Sequence, residues 1–295
     1  AIIQHGTMAL IRKSSLEAVG GWGEWCITED AELGLRLFEA GYLAHYVQYS
    51  YGRGLMPDSF MAYRKQRYRW AYGAMQILKH HWRELLPLRR TSLDAGQRYH
   101  FLAGWLGWVA DGLQLLFILA ALTWSAGIVL LPQHFEPPLT LFMAATLSLF
   151  FFKVVKSLWL YGAKVRCGVI NTVGAAIAGL ALSHTVAKAV IAGIFTSKLP
   201  FQRTPKCEDQ PAVIRGLIAA REEIVYLLLL WSAAMSVWAA RGEFEPAARL
   251  WAVLLVVQSL PYLSALALSM INVLPTPRRH PAVTQAAAVD VKPAE

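Results

Sequence analysis

The sequence predicts an α-helical membrane protein whose first 55 residues are the C-terminal part of an α/β domain, with about four transmembrane helices and further helices lying on the bilayer surface. Three observations predict it. Hydrophobic residues make up 56% of the 295 positions and charged residues 16%, with a mean hydropathy of +0.39, which is too apolar for an ordinary soluble domain. Apolar runs near 104–131, 139–161, 223–240 and 250–274 are each long enough to cross a bilayer. Ahead of them, short apolar runs alternate with stretches of helical period.

In chain order, 6–12 is short and apolar and reads as a buried strand, followed by a helical turn capped by Ser14 or Ser15 and ended by Gly20-Gly21. A loop, Trp22 to Ile27, leads into Thr28-Glu29-Asp30. From Glu29 to Ala40 the period is helical, with Thr28 at the N-cap and Gly41 at C′. Loose alternation over 42–51 predicts a second strand. The chain opens on Ala1, with neither an initiator Met nor the basic start of a signal peptide, and reads as a piece of something longer.

Pro57, Asp58 and Ser59 then start a helix that nothing interrupts for two dozen residues. Gln66, Arg69, Trp70 and Gly73 share one of its faces, whereas Arg67 and Tyr68 point elsewhere. That face offers an amide, a fixed cation, a flat indole and, at Gly73, room for something to approach. An indole stacks on a pyranose, an amide reads hydroxyls and a guanidinium grips phosphate oxygens. The same interleaving of Arg, Lys, Tyr and Trp also marks a helix lying at headgroup depth, and the two roles are compatible. Thr28-Glu29-Asp30 is open in a similar way. Carboxylates in a first helical turn complement its dipole, and a carboxylate at the lip of a sheet can act as a general base.

Between the crossings, 133–138 lacks Lys and Arg, as an external loop should, and Lys164 and Arg166 mark a cytosolic end. Lys153 and Lys156 must snorkel or face protein. Asp111, with Trp105 and Trp108 before it, sits at the cytosolic mouth of the first crossing, either as part of an aromatic belt or lining a sugar tunnel. The segment 169–195 is apolar but carries Asn171, His184 and Lys188. If the N-terminal piece and 201–206 share the cytosol, an even number of crossings separates them, so 169–195 lies along the interface or dips in and returns. His184 has no second ligand at helical spacing. The net charge of +9 is scattered around apolar segments, which suits lipid headgroups or phosphorylated substrates and no nucleic acid. Cys26, Cys167 and Cys207 have no metal-ligand spacing and read as reduced packing residues.

Gly20-Gly21-Trp22, Thr28-Glu29-Asp30 and Gln66-Arg67-Tyr68-Arg69-Trp70, followed by interfacial and membrane helices, resemble the C-terminal part of a membrane-embedded family 2 glycosyltransferase of the cellulose synthase or bacterial β-glucan synthase type. Phe201-Gln202-Arg203-Thr204-Pro205-Lys206 resembles that group's gating loop, with Arg203 where Val is usual, which is closer to synthases of other β-glucans such as β-1,3 and cyclic β-1,2 types. The resemblance implies a GT-A-like domain over 1–55, interfacial helices over 56–100, a transmembrane region over 101–275 with the gating loop near 198–210, and a disordered cytosolic tail over 276–295. It implies a processive inverting transferase in a bacterial inner membrane, with its motifs in the cytosol, taking glucose from UDP-glucose onto a growing polysaccharide. Asp30 is then the catalytic base. Thr28, Glu29, Gln66, Arg69 and Trp70 bind acceptor and substrate, and Phe201, Thr204 and Lys206 close over the donor. Mg2+ or Mn2+ is implied for the full enzyme, held by residues ahead of Ala1. The alternatives are a chitin- or hyaluronan-type synthase, or a non-catalytic channel or export component.

Overall fold

The computed structural model describes residues 3, 6–47, 49, 52, 54, 57, 59–86, 90–197 and 213–272. The chain forms eleven α-helices among them: α1 (Lys13–Ala18), α2 (Glu29–Glu39), α3 (Phe60–Leu85), α4 (Ala95–Leu130), α5 (Thr140–Trp159), α6 (Val169–Ala181), α7 (Ser183–Phe195), α8 (Val213–Ala219), α9 (Arg221–Val237), α10 (Pro246–Gln258) and α11 (Leu260–Ile271). Short π-helical turns, Leu160–Lys164 and Trp238–Gly242, extend α5 and α9.

No strand occurs among the described residues, so neither strand expected in the first 55 is seen there. Residues 6–10 and 42–47 are exposed and irregular. An extended segment becomes a strand only through ladder bonds to a neighbour, and no described segment pairs with either one. The helical signals held better. Gly20 and Gly21 take φ of 83° and 78°, and Gly41 takes φ 84° at the end of α2, where its N–H bonds to the Phe38 carbonyl at 2.9 Å. Ser59 caps α3 by accepting from Ala62 N at 3.1 Å. Asp94 and Gln97 close a capping box at the start of α4.

Five segments are long and apolar enough to cross a membrane, the four expected crossings and one more: Ala95–Leu130, Thr140–Lys164, Val169–Phe195, Arg221–Gly242 and Pro246–Ile271. The added one is 169–195, and burial sets it apart. Within its most apolar window 56% of residues are buried, against 11% for Thr140–Lys164. It breaks into α6 and α7 at Leu182, and α7 packs on α3 and α4 while α6 packs on α5 and α11.

Two apolar cores result. In the first, Leu35 and Phe38 of α2, Tyr72 and Met75 of α3, Phe101 and Trp105 of α4 and Val186 and Val190 of α7 pack together. Trp105 is therefore a core residue and not part of a tunnel wall. The second lies within the bundle, where Ile118 and Ile128 of α4 meet Met143, Leu230, Trp251 and Leu254. Helix α4, about 54 Å long at 1.5 Å per residue, takes part in both. Lys153 faces protein, as one of its two expected options required: its Nζ lies 2.6 Å from Asp111 Oδ1 and 3.2 Å from Ser183 Oγ.

Candidate active site

The Gly20-Gly21 turn is held on α2 by Arg36, whose guanidinium donates to the Val19 carbonyl, to the Gly21 carbonyl at 2.7 Å and to both Glu32 oxygens at 2.6 and 2.8 Å. Glu32 is buried and also lies 3.4 Å from His81 Nε2 of α3, while His81 Nδ1 is 3.0 Å from Glu39. This cluster ties α2, which carries Glu29 and Asp30, to α3.

Protonation controls the tie. Burial pulls the His81 imidazolium down, but its bonds to Glu32 and Glu39 win and leave it pushed up to about 9. Burial pushes the Glu32 carboxyl up, and His81 and Arg36 outweigh it, leaving it below its ordinary value. The His81 contribution to stability is full below its ordinary pKa of 6.5 and is lost as pH rises through about 9. The Glu32 contribution is full above 4.5 and is lost as pH falls further. Thermal midpoints of the purified protein should therefore fall between pH 7 and 10 more steeply in wild type than in His81→Asn. Parallel profiles would refute the assignment.

Thr28 occupies the N-cap position of α2, yet its hydroxyl makes no cap bond. Its side chain fills the space over Gly73 of α3 instead. A Cβ on Gly73 would lie 2.2 Å from Thr28 Oγ1, so even alanine is shut out unless the loop moves. The room at Gly73 is thus taken by this chain's own Thr28, which corrects the expectation of an open approach there. Cys26 lines the same seam, with Sγ 3.5 Å from Thr28 Oγ1 and 4.0 Å from the Gly73 carbonyl; burial pushes its thiol up to about 11. Asp30 is half-buried in the first turn of α2, and Gly6 passes so close that a Cβ there would lie 3.1 Å from Asp30 Oδ2. Glu29 is half-buried beside it.

On α3, Gln66 and Arg69 are half-buried and Trp70 is 37% exposed. Arg67 does not point elsewhere: its guanidinium lies 4.3 Å from the Trp70 ring and 4.9 Å from that of Tyr63. A long side chain at i−3 reaches its neighbour's face, and cation–π attraction keeps it there. One turn along from Gly73, Arg69 lines a cavity of about 270 Å³ together with Ile27, Arg64, Lys65, Tyr68 and Tyr72 of the loop and α3, and Thr185 and Lys188 of α7. Gln66 and Trp70 lie outside its walls. Tyr68 also faces the cavity, stacked on Tyr72 at 6.4 Å and 11°, and burial raises its phenol's pKa.

Two cavity cations are fixed by carboxylates. Arg64 donates to Thr185 Oγ1 at 2.9 Å, the Ala219 carbonyl at 2.7 Å and Glu223 Oε1 at 2.6 Å. Lys188 lies 2.7 and 2.8 Å from the Glu222 oxygens, and His184 Nε2 is 2.9 Å from Glu222. His184 is thus a hydrogen-bonding partner of Glu222 between helices. Among the described residues no three His, Cys, Asp or Glu side chains converge as a metal site. Phe201, Thr204 and Lys206, like the tail after 276, lie outside the described residues.

Sequence reasoning missed Arg64, Gln76, Glu222 and Glu223, and it singled out Lys188 without its partner. Gln76 was within reach, since continuing the Gly73 face by three residues arrives at it. The ion pairs join residues more than 30 positions apart, beyond any local pattern.

Residues 1–154 match the family described as Glycosyl transferase family group 2. Cellulose synthase 1 catalytic subunit (UDP-forming) of Komagataeibacter xylinus is 29% identical over 144 residues, covering 44% of this chain and 19% of that protein. The cellulose synthase catalytic subunit (UDP-forming) of Pseudomonas fluorescens (strain SBW25) is 33% identical over 119 residues, covering 40% and 16%. That of Xanthomonas axonopodis pv. citri (strain 306) is 38% identical over 74 residues, covering 25% and 10%. The chain thus matches about a fifth or less of the length of these curated relatives. With the family match covering more than half of its 295 residues, and both motif segments inside it, the chain belongs to Glycosyl transferase family group 2 and is of cellulose synthase type.

Proposed function

We propose that this chain is the acceptor-side and membrane part of a processive inverting β-glucan synthase, which transfers glucose from UDP-glucose to a growing polysaccharide and passes the polymer across the membrane. The observation that carries the reading is the seam between the Thr28-Glu29-Asp30 loop and the Gln66, Arg69, Trp70 helix, with Thr28 seated on Gly73 one turn after Arg69. The loop that leads to the carboxylate and the helix that carries the cation and the indole come from distant stretches of sequence and pack together along this seam, which supports a two-sided transfer site.

In this reading the Asp30 carboxylate takes the proton of the acceptor hydroxyl. The hydroxyl oxygen bonds to the anomeric carbon from the side opposite the diphosphate. The anomeric C–O bond breaks, its electron pair leaves with the diphosphate, and configuration inverts. Arg69 meets the diphosphate charge at the cavity, and Gln66 and Trp70 hold the terminal sugar, Trp70 by stacking. A divalent ion bound elsewhere in the full enzyme would neutralise the diphosphate. Extrusion is supported by polar groups facing one another inside the bundle: Asp111 with Lys153 and Ser183, and Gln114 with Gln258 at 2.7 Å. Such groups are costly among membrane helices and mark pathways.

Membrane vesicles containing the full protein test this reading. Labelled UDP-glucose should be incorporated into polymer that a β-glucanase degrades. Incorporation of only UDP-N-acetylglucosamine would select the chitin- or hyaluronan-type alternative, and no incorporation from either donor would leave the export-component reading.

A further inference from the structure

We infer that Gln76 is a positioning residue for the transfer reaction, a side chain that sets the height of the carboxylate-bearing loop over the acceptor helix; this rests on the reading of Asp30 as the base. Gln76 lies on α3, one turn beyond Gly73, and is 5% exposed. Its amide spans three backbone groups. Oε1 accepts from Ile27 N at 3.1 Å, and Nε2 donates to the Trp25 carbonyl at 3.2 Å and to the Ser197 carbonyl at 3.0 Å. Two of these partners flank Cys26 in the loop that delivers Thr28, Glu29 and Asp30. The third lies just past the end of α7.

Only a primary amide fits that set, since it needs one acceptor and two donors on one planar group. The Gln76 end of each bond is buried and the backbone partners are partly covered, so losing the amide removes three fixed contacts across the seam at once. Thr28 over Gly73 blocks the loop from sinking closer, and Gln76 keeps it from lifting away. Thr28 therefore supplies repulsion and Gln76 attraction along the same seam. The third bond adds α7, whose end is also held by Lys79 Nζ on the carbonyls of Gly193, Ile194 and Thr196 at 2.9 to 3.0 Å. Loop, acceptor helix and α7 thus share one fixed point.

The test uses the full protein in membrane vesicles, with Cys167→Ser and Cys207→Ser leaving Cys26 as this chain's reporter. Cys26 is 5% exposed in the same seam, so its alkylation rate reads loop docking independently of chemistry. Gln76→Met keeps length and volume and removes all three bonds. Alkylation of Cys26 should speed up at least tenfold, and kcat should fall about a hundredfold, as for a displacement of about 1 Å at a transfer site. The KM for the nucleotide sugar should stay within about twofold, because Arg69 is untouched.

Gln76→Glu guards against a folding defect. When ionised it repels the two carbonyls, and when protonated it restores one donor, so its kcat relative to wild type should recover as pH falls. Unchanged Cys26 labelling and unchanged kcat, where Asp30→Asn is inactive, would overturn the positioning role alone. Exposed Cys26 with unchanged kcat, where Asp30→Asn is also active, would overturn the positioning role together with the base assignment on which it rests.

Discussion

Asp30→Asn, introduced into the full protein, is expected to lower incorporation of labelled sugar by about 10²–10⁴-fold while leaving expression and membrane insertion unchanged. The side chains are isosteric, so the first turn of α2 and the close pass of Gly6 are preserved. The substitution removes only the capacity to accept the hydroxyl proton. Loss of one helix-dipole interaction costs about 0.3–1 kcal/mol and cannot mimic such an effect. Glu17→Gln is the matched control, since that exposed carboxylate makes only a surface pair with Lys13 at 3.7 Å. Undiminished synthesis by Asp30→Asn would eliminate the base assignment and return Thr28-Glu29-Asp30 to a helix-starting role.

The second large effect concerns stability. Arg64→Met should destabilise the protein by about 3–5 kcal/mol, because it leaves Glu223, which is fully buried, without its cation. In a chain of this size that lowers the thermal midpoint by on the order of 10 °C. Adding Glu223→Leu should recover most of the loss, since an apolar replacement of both partners removes the stranded charge. A double-mutant cycle in detergent reads the coupling directly. If the two single losses simply add, Arg64 and Glu223 do not act as a pair, and the link from α3 to α9 has another origin. The same arginine lines the cavity, so activity of the double variant would also report whether its charge serves the donor.

Local signals carried the helical parts of this fold. Ser59 capping, the left-handed Gly20, Gly21 and Gly41, and four of the five membrane-length segments are properties of a few consecutive residues. The two expected strands were not, because a strand depends on a partner that no local pattern can supply. At the site, Thr28, Arg69 and Trp70 were legible by type, but their surroundings were not. That Thr28 fills the space over Gly73, and that Arg67 covers Trp70, follows from side chains meeting across a seam or along one turn. The fifth membrane-length segment shows the same limit. Its polar residues were legible, but not that Glu222, 38 and 34 positions away, meets His184 Nε2 and Lys188 Nζ.

Helix α4 has a mechanical consequence. It runs unbroken from Phe101 and Trp105, wedged beside the loop-bearing layer, to Ile128 deep among the hydrophobic spans. A single stiff rod shared by both layers leaves no joint at which one could swivel against the other. Any tilt imposed by a thicker or thinner bilayer is then conveyed to the layer that holds the α2–α3 seam, so lipid composition becomes a setting of the machine as well as its surroundings.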